Sequence, residues 1–263
     1  MQHHKTVHFM SSLAERHQYI IKKLQKEQYI NVVDLCSELK VSSVTIRKDL
    51  KLLEDKNLLF KIHGGATVSN PYTVDRSVNE KEKLQSNEKS SIGQVAAGLV
   101  IENDSIIIAS GTSVLAFARC LPVNLNLTVI TSALNVSLEL LRHPNTEVMQ
   151  LGGMMRKSST SVMGPYSENI LKDFFCNKLF LGVDGIDLEF GLTTTNMMEA
   201  HLNRQMISAA QKTIVLTDST KFGKRGFGKI CNIDEIDHVI TDNGISEHTV
   251  SQLESMGIEV TIV

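Results

Sequence analysis

From residue 105 to the C-terminus, short apolar runs rich in β-branched residues alternate with stretches of helical periodicity. No other feature restricts the fold as much. The runs fall at 105–109, 127–131, 147–151, 178–183, 213–217, 238–241 and 259–263, with helical candidates at 114–121, 133–142, 199–211 and 246–256 among them. Such alternation predicts an α/β domain with a mainly parallel sheet. A triplet such as Ile106-Ile107-Ile108 has no polar face, as expected of a strand covered on both sides.

Open α/β sheets bind ligands at the carboxyl ends of their strands, near a reversal of strand order. The residues that follow each run therefore carry most weight. They are Ser110-Gly111-Thr112-Ser113, Thr131-Ser132, Gly152-Gly153 with Arg156 and Lys157, Gly182-Val183-Asp184-Gly185, and Asp218-Ser219-Thr220-Lys221. Glycine permits close backbone approach, hydroxyls donate, and a helix N-terminus favours an anion. Taken singly, each reads equally as a tight turn or a helix cap. Several of them at equivalent strand ends give hydroxyls, backbone donors, cations and carboxylates together, a suitable lining for a phosphorylated polyol.

Residues 41–65 carry a second signal. Ser42 is placed to cap a helix in which Val41, Ile46, Leu50 and Leu53 share one face. Ser43, Thr45, Arg47, Lys48 and Lys51 lie on the open side, where hydroxyls and cations can reach base edges and phosphates. Asp49 sits among those cations and is expected to pair with one of them. Upstream, Asn31 can cap a short helix bearing Val32, Leu35, Cys36 and Leu39 on one face. A longer helix over 13–25 supplies Leu13, Ile20 and Leu24 as a third wall. Downstream, residues 58–68 alternate loosely around His63 and the break Gly64-Gly65. Three helices and a small ribbon describe a winged helix-turn-helix whose second short helix enters the major groove.

Charge partition agrees. Residues 1–70 hold 11 basic and 7 acidic side chains, and the rest of the chain holds 16 and 22. Only the N-terminal part has the sign that phosphate requires. The expected organisation is a DNA-binding domain over 1–68, a linker over 69–88 that turns helical near 79–84, and a sugar-phosphate effector-binding domain over 89–263. Cys36, Cys120, Cys176 and Cys231 are widely spaced with no CxxC pair. Reduced thiols of a cytoplasmic protein are therefore expected, with no metal, cofactor or disulfide framework. No run approaches a membrane span, and the opening residues do not resemble a signal peptide.

The chain resembles the DeoR-type transcriptional regulators over nearly its whole length. The residues that carry the resemblance are Val41-Ser42 with Thr45-Ile46-Arg47-Lys48-Asp49-Leu50, His63-Gly64-Gly65-Ala66, Ser110-Gly111-Thr112-Ser113 and Leu151-Gly152-Gly153. They continue with Phe180-Leu181-Gly182-Val183-Asp184-Gly185-Ile186-Asp187, Asp218-Ser219-Thr220-Lys221-Phe222-Gly223 and Ile240-Thr241-Asp242. The resemblance implies a winged helix-turn-helix joined to an effector domain similar in fold to ribose-phosphate isomerases. It also implies a homo-oligomer, dimer or tetramer, that represses a carbohydrate operon on double-stranded operator DNA until a sugar phosphate relieves it. Arg47 and its neighbours match the DNA-contacting helix; Gly111, Thr112 and Ser113 match the phosphate loop, and Asp184 and Lys221 match positions facing the sugar.

The departures from the family pattern are specific. Lys48 stands where a second arginine is common, which keeps charge but loses bidentate geometry and shifts base readout onto Arg47. Lys61 replaces the usual arginine before the wing. Ile108-Ala109-Ser110 lacks the acidic residue often found before the phosphate loop. The stretch around Thr193-Thr194-Thr195-Asn196, Glu199-Ala200 and Leu202-Asn203-Arg204 is similar to the amino-sugar and hexitol branch, with Met197 where an acidic residue is common.

Two other readings are compatible with the same residues. One is a sugar-phosphate isomerase-type enzyme carrying a DNA-binding module, with Asp184 or Asp187 as base and Lys221 stabilising an enediolate. The other is an architectural DNA binder without an effector.

Overall fold

Ser12 opens the first helix: its hydroxyl accepts from the Glu15 amide at 3.2 Å, and the Glu15 carboxylate accepts from the Ser12 amide at 3.4 Å. This reciprocal cap satisfies two donors that the first turn leaves open. The computed structural model describes residues 12–56, 58–62, 64–68 and 77–263. The chain divides into two units, Met1–Val74 and Asp75–Val263.

In the first unit, α1 (Leu13–Glu27) leads through a left-handed Gln28 into β1 (Tyr29–Asn31). Asn31 then caps α2 (Val32–Leu39), accepting from the Val33 amide at 2.7 Å. A left-handed Lys40 turns the chain into α3 (Ser43–Asp55), capped as expected by Ser42, whose hydroxyl accepts from the Thr45 amide. The strands β2 (Phe60–Ile62) and β3 (Gly65–Thr67) form the ribbon. β3 also pairs with β1, so the order is β1-β3-β2. Sequence periodicity does not show β1, because three residues are too few to display a period of two.

Ile20, Leu24, Leu35, Leu39, Ile46, Leu50, Leu53 and Leu59 fill the core of this unit. Leu13, expected in the third wall, is 48% exposed because it lies on the first turn, away from the packed stripe of α1. Gly65 is required by packing: a Cβ there would meet the Ile30 carbonyl oxygen at 2.0 Å.

The second unit begins with α4 (Val78–Glu82) and α5 (Ser86–Ala97), followed by β4 (Ser105–Ile108), α6 (Thr112–Cys120), β5 (Leu127–Thr131), α7 (Leu134–Leu140) and β6 (Thr146–Gln150). Next come the hairpin β7 (Met154–Arg156) and β8 (Ser161–Met163), then α8 (Pro165–Leu171), β9 (Cys176–Gly182), β10 (Gly185–Asp187) and β11 (Gly191–Thr194). The chain closes with α9 (Met197–Ser208), β12 (Ala210–Leu216), β13 (Gly228–Cys231), β14 (His238–Thr241), α10 (Glu247–Ser255) and β15 (Glu259–Ile262).

All seven expected strands are present, parallel, in one sheet of order β15-β14-β12-β9-β4-β5-β6. Both faces are covered. Ile106 and Ile108 join a core with Phe117 and Phe180, whose rings stack at 4.0 Å, while Ile107 faces a second core with Leu179, Leu181 and Val215. That two-sided burial explains the unbroken isoleucine run. The chain runs outward from β4 to β6, then returns to place β9 on the other side of β4, so the strand order reverses between β4 and β9.

Two features differ from the sequence expectation. The β7–β8 hairpin and the antiparallel sheet β10-β11-β13 were not foreseen. α4 falls where the linker was expected to turn helical, near 79–84, but α5 begins at Ser86, before the expected boundary at 89. α5 packs so closely on α6 that a Cβ on Gly93 would meet the Phe117 amide nitrogen at 2.7 Å.

Candidate functional site

On α3, the Ser42 hydroxyl is engaged in capping and lies 3.0 Å from the Thr45 hydroxyl. Ser43, Arg47, Lys48 and Lys51 are exposed, and Thr45 is half-buried. Asp49 does not pair with the cations of its own helix. It is 2% exposed and accepts from Arg16 Nε at 2.8 Å and Nη2 at 3.0 Å, with His17 Nε2 3.4 Å away. The helical pitch turns Asp49 inward with Ile46 and Leu50, so its partner comes from α1. The α3 surface consequently presents cations, with Lys51 paired to Asp55 at 2.9 Å. His63 lies outside the described residues.

At the strand-order reversal, the second unit holds a cavity of about 110 Å³. Ser110 follows β4, Gly182 ends β9 and Val183 and Asp184 follow it, and Asp218, Thr220 and Lys221 follow β12. Ten of the residues expected from sequence meet there: Ser110, Thr112, Ser113, Arg156, Gly182, Val183, Asp184, Asp218, Thr220 and Lys221. Gly111 caps α6 with φ 130° and no side-chain hydrogen bond to the first turn, so the amides at the cavity wall stay open to an anion.

The remaining expected residues do other work. The Thr131 hydroxyl is fully buried and accepts from the Ala133 amide at 3.1 Å, while the Ser132 carbonyl accepts from Val162 at 2.8 Å. The Gly152 carbonyl accepts from the Ser167 hydroxyl. Gly153, at φ 148°, passes so near the Met163 carbonyl oxygen that a Cβ would meet it at 2.7 Å; at Gly185 the Lys224 carbonyl oxygen would be met at 2.4 Å. These residues hold the loops around the cavity and are not among its lining.

A chain of buried polar contacts forms one wall. Glu199, at the start of α9, accepts from the Ser110 hydroxyl at 2.7 Å, from the Thr194 hydroxyl at 3.1 Å and from the Arg156 guanidinium. Arg156 also donates to the Thr195 hydroxyl at 3.0 Å. The neighbouring Asp184 carboxylate accepts from the Thr194 hydroxyl at 3.0 Å, the Thr195 amide at 3.2 Å and the Lys81 ammonium at 2.7 Å. Burial pushes the Asp184 carboxyl up. The charges of Lys81 and Lys221, with hydrogen bonds from Lys81 and Thr194, outweigh that and hold it below the ordinary aspartate value.

Several lining residues escaped the sequence reading. Lys81, Leu84 and Gln85 come from the stretch read as a linker, and Lys89 from the first turn of α5. Lys89 is 6% exposed and donates to the carbonyls of Lys81, at 2.6 Å, and Leu84. Burial lowers its ammonium pKa to about 8; Lys221 and Lys81 push the same way, against Asp218 and Glu82. Helical spacing places Lys89 on the inner face with Ile92, Gly93 and Ala96, the one signal that could have found it.

Comparison with known proteins bears on both parts of the chain. A model of the DeoR-like helix-turn-helix domain matches residues 16–71, and one of the DeoR C-terminal sensor domain matches residues 84–243. An Escherichia coli O157:H7 protein assigned as an aga operon transcriptional repressor is 36% identical over 256 residues, 97% of this chain and 95% of that protein. The transcriptional regulator GolR of Listeria innocua is 33% identical, covering 94% and 98%. The transcriptional repressor GlcR of Bacillus subtilis is 31% identical, covering 94% and 95%. Among solved structures, a sor operon regulator of Shigella flexneri shares 13% identity at a TM-score of 0.42, covering 69% of this chain and 91% of that one. Ribose 5-phosphate isomerase A of Methanocaldococcus jannaschii shares 16% at 0.38, covering 52% and 55%. The winged helix-turn-helix, the doubly covered parallel sheet and these full-length relatives together place the chain in the DeoR family of transcriptional regulators.

Proposed function

We propose that the chain represses a carbohydrate-utilisation operon by binding its operator, and leaves the DNA when a phosphorylated sugar occupies the cavity of the second unit. The observation that carries this reading is the composition of that cavity. Cations and open helix amides adjoin buried carboxylates and hydroxyls, at the strand-order reversal of a sensor domain. The phosphate takes the N-terminus of α6, with Thr112, Ser113 and Lys221. The sugar hydroxyls take Asp184 and the edge of the Glu199 network. Arg156 acts mainly by holding Glu199.

On the DNA side, Arg47 reads bases with help from Ser43 and Thr45, while Lys48 and Lys51 contact phosphates. Ser42 acts as a cap. The names of the relatives as repressors support the direction of control. The protein acts as a homo-oligomer, dimer or tetramer, because paired half-sites need paired recognition helices.

The isomerase reading is disfavoured by the carboxylates themselves. A general base works best when its pKa lies near the operating pH. Asp184 is held low by Lys81 and Lys221, and Asp187, also lowered, is locked by Arg225 at 2.7 and 2.9 Å. Thermal unfolding across a panel of pentose, hexose, hexosamine and hexitol phosphates tests the assignment. A ligand of the native state raises the melting temperature of the second unit by mass action. No shift with any member, or measurable isomerisation of one, contradicts it.

A further inference from the structure

The segment that enters the second unit from the DNA-binding side lies across the cavity, and it is held there almost entirely by polar clasps. In α4 only Val78 is buried. Its amide donates to the Ser158 carbonyl at 2.6 Å. Lys81 reaches Asp184 at 2.7 Å, and Glu82 meets Arg119 of α6 at 2.6 Å. Lys89 donates to the carbonyls of Lys81 and Leu84. Val78, Lys81, Leu84 and Gln85 all line the cavity. A segment with so little apolar burial opens at low local cost.

The central clasp also occupies a ligand position. Asp184 is the lining carboxylate best placed to receive a polyol donor, and one of its oxygens is already taken by the Lys81 ammonium. We propose that Lys81 is a built-in competitor: a hydroxyl or ammonium group of the sugar phosphate takes Asp184 from Lys81, and α4 is thereby released from the cavity. This rests on the sugar-phosphate reading of the site and adds the way in which occupancy is transmitted. β3 of the first unit ends at Thr67 and α4 begins at Val78, so α4 is the first element of the sensor unit that the DNA-binding unit is tied to. A ligand that frees α4 thereby changes the point at which the DNA-binding unit is tethered.

The test follows amide exchange of residues 78–85 in the full chain with glucose 6-phosphate, glucosamine 6-phosphate and glucitol 6-phosphate, with binding read by calorimetry on the same samples. The compound that binds should accelerate exchange across residues 78–85. Lys81→Met should show that acceleration without any compound and should bind the same compound about tenfold more tightly, because the competent state no longer has to be freed. Lys81→Arg should restore wild-type behaviour. Binding with exchange at 78–85 unchanged or slowed, or weaker binding by Lys81→Met, overturns the strap while leaving the ligand site standing. If none of the three, nor any other member of the pentose, hexose, hexosamine and hexitol phosphate panel, binds either form, the sugar-phosphate reading falls and the strap with it.

Discussion

Asp49 of α3 accepts two hydrogen bonds from Arg16 of α1, at 2.8 and 3.0 Å, from a position only 2% exposed. α3 is thus fixed to α1 by a charge-assisted fork, while its Ile46 and Leu50 join the core of the first unit. Replacing Asp49 by Ala leaves a mostly buried guanidinium without its partner. The expected loss is about 2–4 kcal/mol in the first unit. Amide exchange should speed up in α1 and α3 and stay unchanged in the second unit; equal acceleration in both units would contradict this.

Arg47 and Lys51 should separate by what they lose. Arg47→Ala should relax base discrimination by roughly 1–3 kcal/mol at one position. Lys51→Ala should weaken binding to every duplex and flatten the salt dependence. Its ion pair with Asp55 is exposed and is worth about 1 kcal/mol or less, so it does not keep Lys51 from phosphate. Binding titrations on matched and mismatched duplexes at several salt concentrations would show the two variants alike if these roles are wrong.

Thr112→Val removes a hydroxyl from the first turn of α6, whose glycine cap makes no side-chain hydrogen bond, and little else. Operator binding should be unchanged, while affinity for the effector should fall about tenfold or more, the range for a hydrogen bond to a charged group. A variant that remains fully inducible would remove Thr112 from the phosphate site.

Lys89 sets a pH limit. Its pKa of about 8 means that the ammonium is present at neutral pH and is lost as pH rises above 8. The charged groups that act on it are Asp218, Lys221, Lys81 and Glu82. Affinity for a phosphate dianion should therefore be flat from neutrality towards pH 8 and decline above it, by at most about tenfold per pH unit for one proton. The sign for stability runs the other way: the cost of burying the charge is full below pH 8 and is relieved as pH rises towards the ordinary lysine value. Calorimetry between neutral pH and pH 9.5 should show the decline in wild type and its loss in Lys89→Met.

Which parts of the molecule were legible in sequence follows from how each is buried. The inner parallel strands, buried on both faces, read as apolar runs, the edge strands β6 and β15 read as β-branched stretches despite their exposure, and the loops after the strands led to Ser110, Asp184 and Lys221. The capped helices of the first unit were visible because Asn31 and Ser42 mark their starts. The strands β10, β11 and β13 were hidden by their shortness and their glycines and threonines. Lys81 and Lys89 were hidden for a different reason: a lysine among acidic and polar neighbours reads as solvated surface, and only the fold brings these two to a cavity. Glycines at strand ends read alike whether they admit a ligand or a neighbouring backbone, and Gly153 and Gly185 both lie close against backbone carbonyls.

In the proposed function, occupancy of the cavity controls release from DNA. Fluorescence anisotropy of the full chain on a labelled duplex from upstream of its own coding sequence measures this directly. A phosphorylated sugar that raises the melting temperature of the second unit should release the duplex in a saturable manner, and the same sugar without its phosphate should not. Unchanged affinity for the duplex when that compound saturates the cavity would show that occupancy does not control release.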